Sequence, residues 1–340
     1  MKPEPDERYS RQQLFAPLGP EGQEKLALAR VAIVGCGATG SAIASLLARA
    51  GVGYIRIIDR DYVDFSNLQR QVLFNERDAQ ESLPKAIAAS RRMAEFNSQI
   101  LAEPQVDDLS PENCEILLGG VQLILDGTDN FETRYLINDY AVKNSVPWIY
   151  TAAVGSYAIT MNVLPSQTAC LACVFPEAPG GFVETCDTAG ILNSAVTLGA
   201  SIAVTEALKL LVGKKESLRR TLLSYDLWRN EKAEVAASKP VAGCRTCQRK
   251  EFSHLAGEGR PHITLCGRNS VQIHEHARLL DLTEMSKRLT PHGTVRQNAF
   301  MLKFSMDSFE MTLFPDGRAI IKGTTDVAIA RSLYARYVGS

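Results

Sequence analysis

The spacing of apolar and polar positions changes period several times along the chain, and each change marks an element. Residues 31–59 open with an apolar run of strand length and pass through a glycine turn. They continue with apolar residues at 42, 43, 46 and 47, the spacing of one helix face. Gly51 and Gly53 break that helix, and a second apolar run ends at Asp59. Two strands apolar on both faces, joined by a helix, predict a parallel βαβ unit buried between helical layers. Further on, 83–97 reads as a helix, 121–130 as a strand ending in a polar turn, and 130–145 as a helix. Residues 147–164 read as two strands joined around Gly155. Such alternation over about 130 residues predicts an α/β fold with a doubly wound, Rossmann-like sheet.

The uncharged stretch from Asn144 to Pro176 is broken by Pro147, Gly155 and Pro165, which suits buried strands rather than a membrane helix. Residues 190–213 form a long helical pattern of small residues, expected in the core or at a subunit interface. Beyond about residue 250 the pattern shifts. All five histidines, at 254, 262, 274, 276 and 292, lie there. Residues 310–323 read as a hairpin turning at Asp316-Gly317, and 326–339 as a short amphipathic helix. The expected organisation is a domain over 1–250 followed by a small C-terminal α+β appendage over 260–340.

Composition narrows the class. With 45% hydrophobic and 22% charged residues in a chain of 340, disordered and fibrous readings drop out. Lys and Arg (37) balance Asp and Glu (38) to a net charge of -1, without the basic surplus that nucleic acid or an anionic membrane would need. The first residues, MKPEPDERYSRQQ, contain no apolar signal region, so a cytoplasmic protein is expected. Its eight cysteines are then read as thiols or metal ligands rather than disulfides.

Chemistry enters with GCGATG at 35–40, between the first strand and its helix. Gly35, Gly37 and Gly40 allow a tight turn and bring an anionic cofactor close to the helix N-terminus. Asp59, at the end of the next strand, is placed to accept hydrogen bonds from ribose hydroxyls. By itself this fingerprint favours a nicotinamide dinucleotide over ATP. The following residues shift the weight. Arg70 in SNLQRQ, then Lys85, then Asp126 and Asp129 in LDGTDN supply cations and a carboxylate able to hold Mg²⁺. Displacement at phosphate needs such groups, because the charge growing on pyrophosphate must be neutralised. Hydride transfer does not, and no histidine before 254 offers proton transfer to a hydroxy substrate. Arg70 and Lys85 also have the plainer reading of solvated surface charges. An NAD-dependent oxidoreductase and a non-catalytic nucleotide-sensing module remain as the alternative functions.

Cys170 with Cys173, and Cys244 with Cys247, form two C-x-x-C pairs that together complete a tetrahedral four-cysteine site. Structural Zn²⁺ is favoured over two redox dithiols, and the wide spacing makes the site a clamp rather than a finger. Cys186 stands in a glycine-rich polar loop, as a nucleophile, a persulfide carrier or a thiol without a role. Arg8 and Arg11 lie in a terminal arm that could supply a guanidinium to a neighbouring subunit.

RYSRQ, GCGATG, IIDRDYVDFSNLQRQ, LPKA, LDGTDN, the paired C-x-x-C and ETCDTAG occur together and in order. Over about residues 8–250 the chain thereby resembles the ThiF/MoeB/HesA group, ubiquitin-activating-like adenylyltransferases of sulfur-carrier proteins. The resemblance implies that Gly35, Gly37 and Gly40 shape an ATP site and that Asp59 binds the ribose. It implies phosphate contacts from Asn67, Arg70 and Lys85, with Arg11 reaching in from the partner subunit of a homodimer. Asp129 matches the Mg²⁺-associated carboxylate; Cys170, Cys173, Cys244 and Cys247 match Zn²⁺ ligands. Cys186 matches a conjugating or sulfur-accepting thiol, a role that varies across the group. Cys36 and Thr39 depart from residues common in relatives but leave all three glycines. The implied reaction joins the C-terminal glycine of a ubiquitin-like carrier ending in Gly-Gly to AMP. The thiamine thiazole pathway is the first expectation and the molybdenum cofactor pathway the second. Residues 260–340 resemble a tail found in some bacterial thiamine and molybdopterin members.

Overall fold

Val31, Ala32, Ile33 and Val34 are all buried because their strand, β1 (Arg30–Val34), lies inside a sheet covered on both faces. The computed structural model describes residues 5–177, 189–258, 264–265, 270–273 and 279–339. Their contacts divide the chain into Met1–Glu258 and Gly259–Ser340.

The first unit holds an eight-stranded sheet. Its remaining strands are β2 (Tyr54–Ile58), β3 (Leu101–Gln105), β4 (Leu123–Asp126), β5 (Trp148–Val154), β6 (Tyr157–Val163), β7 (Thr221–Asp226) and β8 (Glu231–Ala236). Their spatial order is β3-β2-β1-β4-β5-β6-β7-β8. The first five positions pair in parallel, with Val31 opposite both Ile55 and Leu123. From β5 onward the pairing is antiparallel, starting at the hairpin around Gly155. The Rossmann-like expectation therefore holds for one half of the sheet, and an antiparallel extension completes it. Strands β7 and β8 escaped the sequence reading. All six residues of β8 are exposed, so it lacks the buried stripe that announces a strand.

Helix Ala38–Ala50 buries Ala42, Ile43 and Leu47 and stops at Gly51, whose φ of 84° makes it a left-handed cap. Helices Lys85–Phe96 and Phe131–Asn144 occur where the sequence predicts them. Helix Asn193–Leu211 is long and apolar enough to cross a membrane, yet it packs on β5 and β6. Ala195, Ala200, Ala203 and Ala207 are buried, and these small side chains permit the close approach.

The second unit is a six-stranded antiparallel sheet. It comprises β9 (Thr264–Leu265), β10 (Ser270–Ile273), β11 (Thr294–Gln297), β12 (Leu302–Met306), β13 (Phe309–Leu313) and β14 (Ala319–Lys322). The expected hairpin is β13–β14, with Leu313 opposite Ala319. Helices Leu282–Leu289 and Val327–Tyr337 pack Leu289 and Tyr334 into a core with Phe304, Met311 and Ile321.

Candidate functional site

At the C-terminal edge of the parallel strands, the loops leaving β1 and β4 touch backbone to backbone. Gly35 donates its N–H to Ile58 O at 2.8 Å, and Gly127 donates to Val34 O at 2.8 Å. Gly35 adopts a left-handed φ of 84°, and a Cβ there would lie 2.8 Å from Gly127 O. A Cβ on Gly127 would in turn lie 2.7 Å from the Gly40 Cα. Gly127 is thus part of the turn, although a lone glycine in LDGTDN carries no local signal of it. Helix Ala38–Ala50 has no side-chain cap, which leaves its first N–H groups available to an anion. Space beside Gly37 is open, since a Cβ there would meet nothing within 4 Å. An uncapped helix start behind an open glycine cradle fits a nucleotide phosphate.

Asp59 ties β2 to this loop. Its Oδ2 accepts the Cys36 N–H at 2.6 Å and its Oδ1 accepts the Asp61 N–H at 2.7 Å. Burial pushes the Asp59 carboxyl above the usual carboxylate range, with Lys85 opposing the shift and Asp61 adding to it. Each oxygen keeps a further lone pair for a ribose hydroxyl. Lys85 is 2% exposed and lies 3.0 Å from Asp61 Oδ2, so it is not a solvated surface charge. Arg60, which the sequence reading did not single out, pairs with Asp108 at 2.7 Å. Burial disfavours its charge, but Asp108, Asp61 and Asp129 outweigh that and hold its guanidinium pKa above the ordinary value.

Asn67 and Arg70 follow on a tight turn. Asp64 accepts the Ser66 N–H at 2.9 Å, and Asn67 Oδ1 accepts the Asp64 N–H at 3.2 Å. Asn67 is buried and helps to shape the turn, while half-buried Arg70 donates Nη1 to Ser66 O at 2.9 Å. The two aspartates of LDGTDN separate. Asp126 is fully buried against Arg134 at 3.0 Å, whereas Asp129 is exposed on the turn. Arg11 is exposed on helix Pro5–Gln13. That segment is no free arm: Tyr9 is buried and takes a hydrogen bond from Asn97 Nδ2 at 2.9 Å, and Arg8 Nη1 donates to Phe96 O at 2.6 Å.

The four paired cysteines converge. Their sulfurs all lie within 4.8 Å of one another, with Cys170–Cys173 at 3.7 Å, Cys170–Cys244 at 3.6 Å and Cys173–Cys247 at 3.4 Å. Zn–S bonds of about 2.3 Å in a tetrahedron call for S···S separations near about 3.8 Å, so the cluster fits a structural Zn²⁺. The Cys170 thiol, donating to Cys173, is pushed up. Cys173 is lowered to about 5 as it receives that bond, and burial raises Cys247 to about 12.

Helix Phe131–Asn144 anchors both arms of the clamp. Asn138 Oδ1 accepts the Leu171 N–H at 2.9 Å beside the first pair. Asp139 accepts Thr246 Oγ1 at 3.1 Å within the second pair, and the His254 N–H at 3.0 Å beyond it. Cys186 lies outside the described residues. Among the described residues that follow it, Gly190 O accepts the Gly155 N–H at 3.0 Å and Leu192 N–H donates to Gly155 O at 2.8 Å. Cys36 and Cys114 are buried, and burial raises both thiols, which suits packing rather than reactivity.

Comparison with known proteins places this geometry. The model of the ThiF family matches residues 9–246. A sulfur carrier protein ThiS adenylyltransferase from Bacillus subtilis is 46% identical over 336 residues, covering 98% of this chain and 99% of its own. A sulfur carrier protein adenylyltransferase from Thermus thermophilus is 35% identical over 260 residues, covering 74% of this chain and 95% of its own. Among solved structures, E. coli MccB with ATP shares the fold at a TM-score of 0.62 and 22% identity, covering 71% of this chain and 74% of that one.

Proposed function

The chain belongs to the ThiF family, and on that premise we propose that it is an ATP-dependent adenylyltransferase acting on the C-terminal glycine of a ubiquitin-like sulfur-carrier protein. The observation that carries the reading is the 46% identity to a ThiS adenylyltransferase over 336 residues, a span that includes the second unit. It favours the thiamine thiazole carrier over the small subunit of molybdopterin synthase.

The carrier carboxylate attacks the α-phosphate of ATP, the bond to the bridging oxygen breaks, and pyrophosphate leaves while acyl-AMP forms. Gly35, Gly37 and Gly40 admit the phosphates to the helix start, and Asp59 holds the ribose. Lys85 from the start of its helix, and Arg70 with Asn67 from the turn that Asn67 shapes, contact the phosphates and neutralise their charge, and Arg11 reaches them from the partner of a homodimer. Removing one such contact lowers the rate by ~10²–10³. Asp129 is the exposed carboxylate that would hold Mg²⁺, whose positive charge would offset that of the phosphates. Zn²⁺ on Cys170, Cys173, Cys244 and Cys247 is structural, because four thiolates leave no open position. After adenylation the Cys186 thiolate attacks the acyl-AMP carbonyl, forming a thioester with the carrier terminus as AMP leaves, in a protein working in the cytoplasm. Buried Lys85 and half-buried Arg60 bring cationic charge that hydride transfer to NAD would not require.

The test is ATP–pyrophosphate exchange with each purified carrier. Exchange is expected with the thiazole-pathway carrier, abolished by Asp129→Ala and kept within a fewfold by Cys186→Ala. Exchange that survives Asp129→Ala would sink the assignment.

A further inference from the structure

Between β4 and helix Phe131–Asn144 the chain reverses through only four residues, 127–130, and this short turn carries Asp129. Two buried groups hold the turn from opposite sides. Asp126 Oδ1 accepts both the Thr128 N–H at 2.8 Å and the Thr128 hydroxyl at 2.6 Å. Arg134 spans the remaining gap, donating Nε to Asp126 Oδ2 at 3.0 Å and Nη2 to Thr128 O at 2.7 Å.

The second of these bonds has a specific consequence. Thr128 C=O belongs to the peptide unit that joins Thr128 to Asp129, and a peptide unit is planar. Fixing that oxygen fixes the plane from which the Asp129 Cα projects. On the far side, Asn130 caps the helix by accepting the Thr133 N–H at 2.8 Å. Asp129 is therefore held at both ends of its backbone while its carboxylate stays exposed. Arg134 is itself immobilised. It is 5% exposed, and its guanidinium lies 5.3 Å from the Phe131 ring and 5.1 Å from the Tyr150 ring. The planar guanidinium holds a carboxylate and a carbonyl with donors in one fixed plane, whereas a lysine ammonium is a compact point charge that fixes neither direction.

We propose that Arg134, through its fork on Asp126 and the Thr128 carbonyl, is a positioning residue that presents the Asp129 carboxylate for divalent-metal nucleotide binding. The proposal rests on the reading of Asp129 as the metal-associated carboxylate. It adds a residue that touches neither substrate nor metal, yet sets metal affinity.

The test uses the full chain as wild type, Arg134→Lys, Thr128→Val and Asp129→Asn. Mn²⁺ binding with the α,β-methylene analogue of ATP is read by electron paramagnetic resonance, alongside the Mg²⁺ concentration that half-saturates pyrophosphate exchange and a thermal melt. Arg134→Lys is expected to melt cooperatively and to bind Mn²⁺ ~10–100-fold more weakly, as loss of an outer partner of a metal ligand does. Its Mg²⁺ half-saturation rises in step. Thr128→Val loses only the hydroxyl bond and shifts both readouts the same way by a smaller factor. A purely structural role would instead lower the folded fraction with metal affinity unchanged in the folded enzyme, and that result overturns the proposal. Should Arg134→Lys fail to fold, Thr128→Val decides, and unchanged Mn²⁺ affinity overturns the proposal. Full affinity in Asp129→Asn overturns the Asp129 assignment and the proposal with it. Loss in Asp129→Asn beside full affinity in Arg134→Lys overturns the positioning role alone.

Discussion

Gly40 packs against Gly35 so closely that a Cβ on Gly40 would lie 1.8 Å from the Gly35 carbonyl oxygen. Gly37, between them, faces open space. Three glycines of one motif thus have different duties: Gly35 takes the left-handed turn, Gly40 admits backbone packing, and Gly37 leaves room for a ligand. Gly40→Ala is expected to destabilise the fold by at least ~1–3 kcal/mol, the usual cost of overpacking. Gly37→Ala should keep the wild-type denaturation midpoint and lose affinity for an ATP analogue. Urea midpoints and analogue binding check the pair, and equal destabilisation by both substitutions would refute the division.

Lys85 and Arg70 should part company on stability. Lys85→Met leaves Asp61 without the ammonium at 3.0 Å and removes the charge that opposes the Asp59 shift, so both stability and exchange should fall. Arg70→Ala gives up one side-chain bond to Ser66 O on a half-buried turn, and its stability should stay within ~0.5 kcal/mol of wild type. Exchange by Arg70→Ala should nonetheless drop ~10²–10³. A destabilised Arg70→Ala with proportionate loss of exchange would make Arg70 structural.

Asp139 should govern how firmly the cysteine clamp closes. Asp139→Ala strands the Thr246 hydroxyl and the His254 N–H, two donors from the arm that carries Cys244 and Cys247. The expected cost is ~1–3 kcal/mol for buried groups left unpaired, with faster loss of zinc to a chelator. Cys244→Ser is the reference and should leave less than about half an equivalent of zinc on the purified protein. Zinc release from Asp139→Ala at the wild-type rate would show that the helix does not brace the clamp.

Glu206 predicts a pH dependence on the acid side. It is 4% exposed and accepts Asn162 Nδ2 at 2.5 Å, Lys209 Nζ at 2.6 Å and the Arg219 N–H at 2.9 Å. Burial alone would raise its carboxyl, but these donors outweigh burial and hold it below the usual range. A pKa lower in the folded than in the unfolded chain means that the unfolded chain binds more protons in acid. The contribution is therefore fully present above the unfolded value of about 4.3 and is lost as pH falls through the folded value. The stability gap between wild type and Glu206→Gln should be wide at about pH 6 and narrow towards about pH 3, as read by urea midpoints. A gap independent of pH would show that the charge of Glu206 contributes nothing.

Much of this protein is written in short-range pattern. The period of apolar positions in 31–59 was enough for the βαβ unit, because which face of a strand or helix is buried depends on neighbours a few residues away. The hairpin at Asp316-Gly317 and the two C-x-x-C pairs are local in the same sense. Relations across the chain were not legible in this way. Gly127 matters because the loop after β4 lands on Gly35, ninety-two positions earlier, and Asp139 matters because His254 arrives beside it from the far side of the clamp. Asp126 and Asp129 look interchangeable in LDGTDN until Arg134 buries one and leaves the other exposed. The single chain by itself determined which elements form and which residue types could do chemistry. Only the tertiary structure decided which of those residues are buried, paired or free, because burial and pairing depend on what the rest of the chain brings into contact.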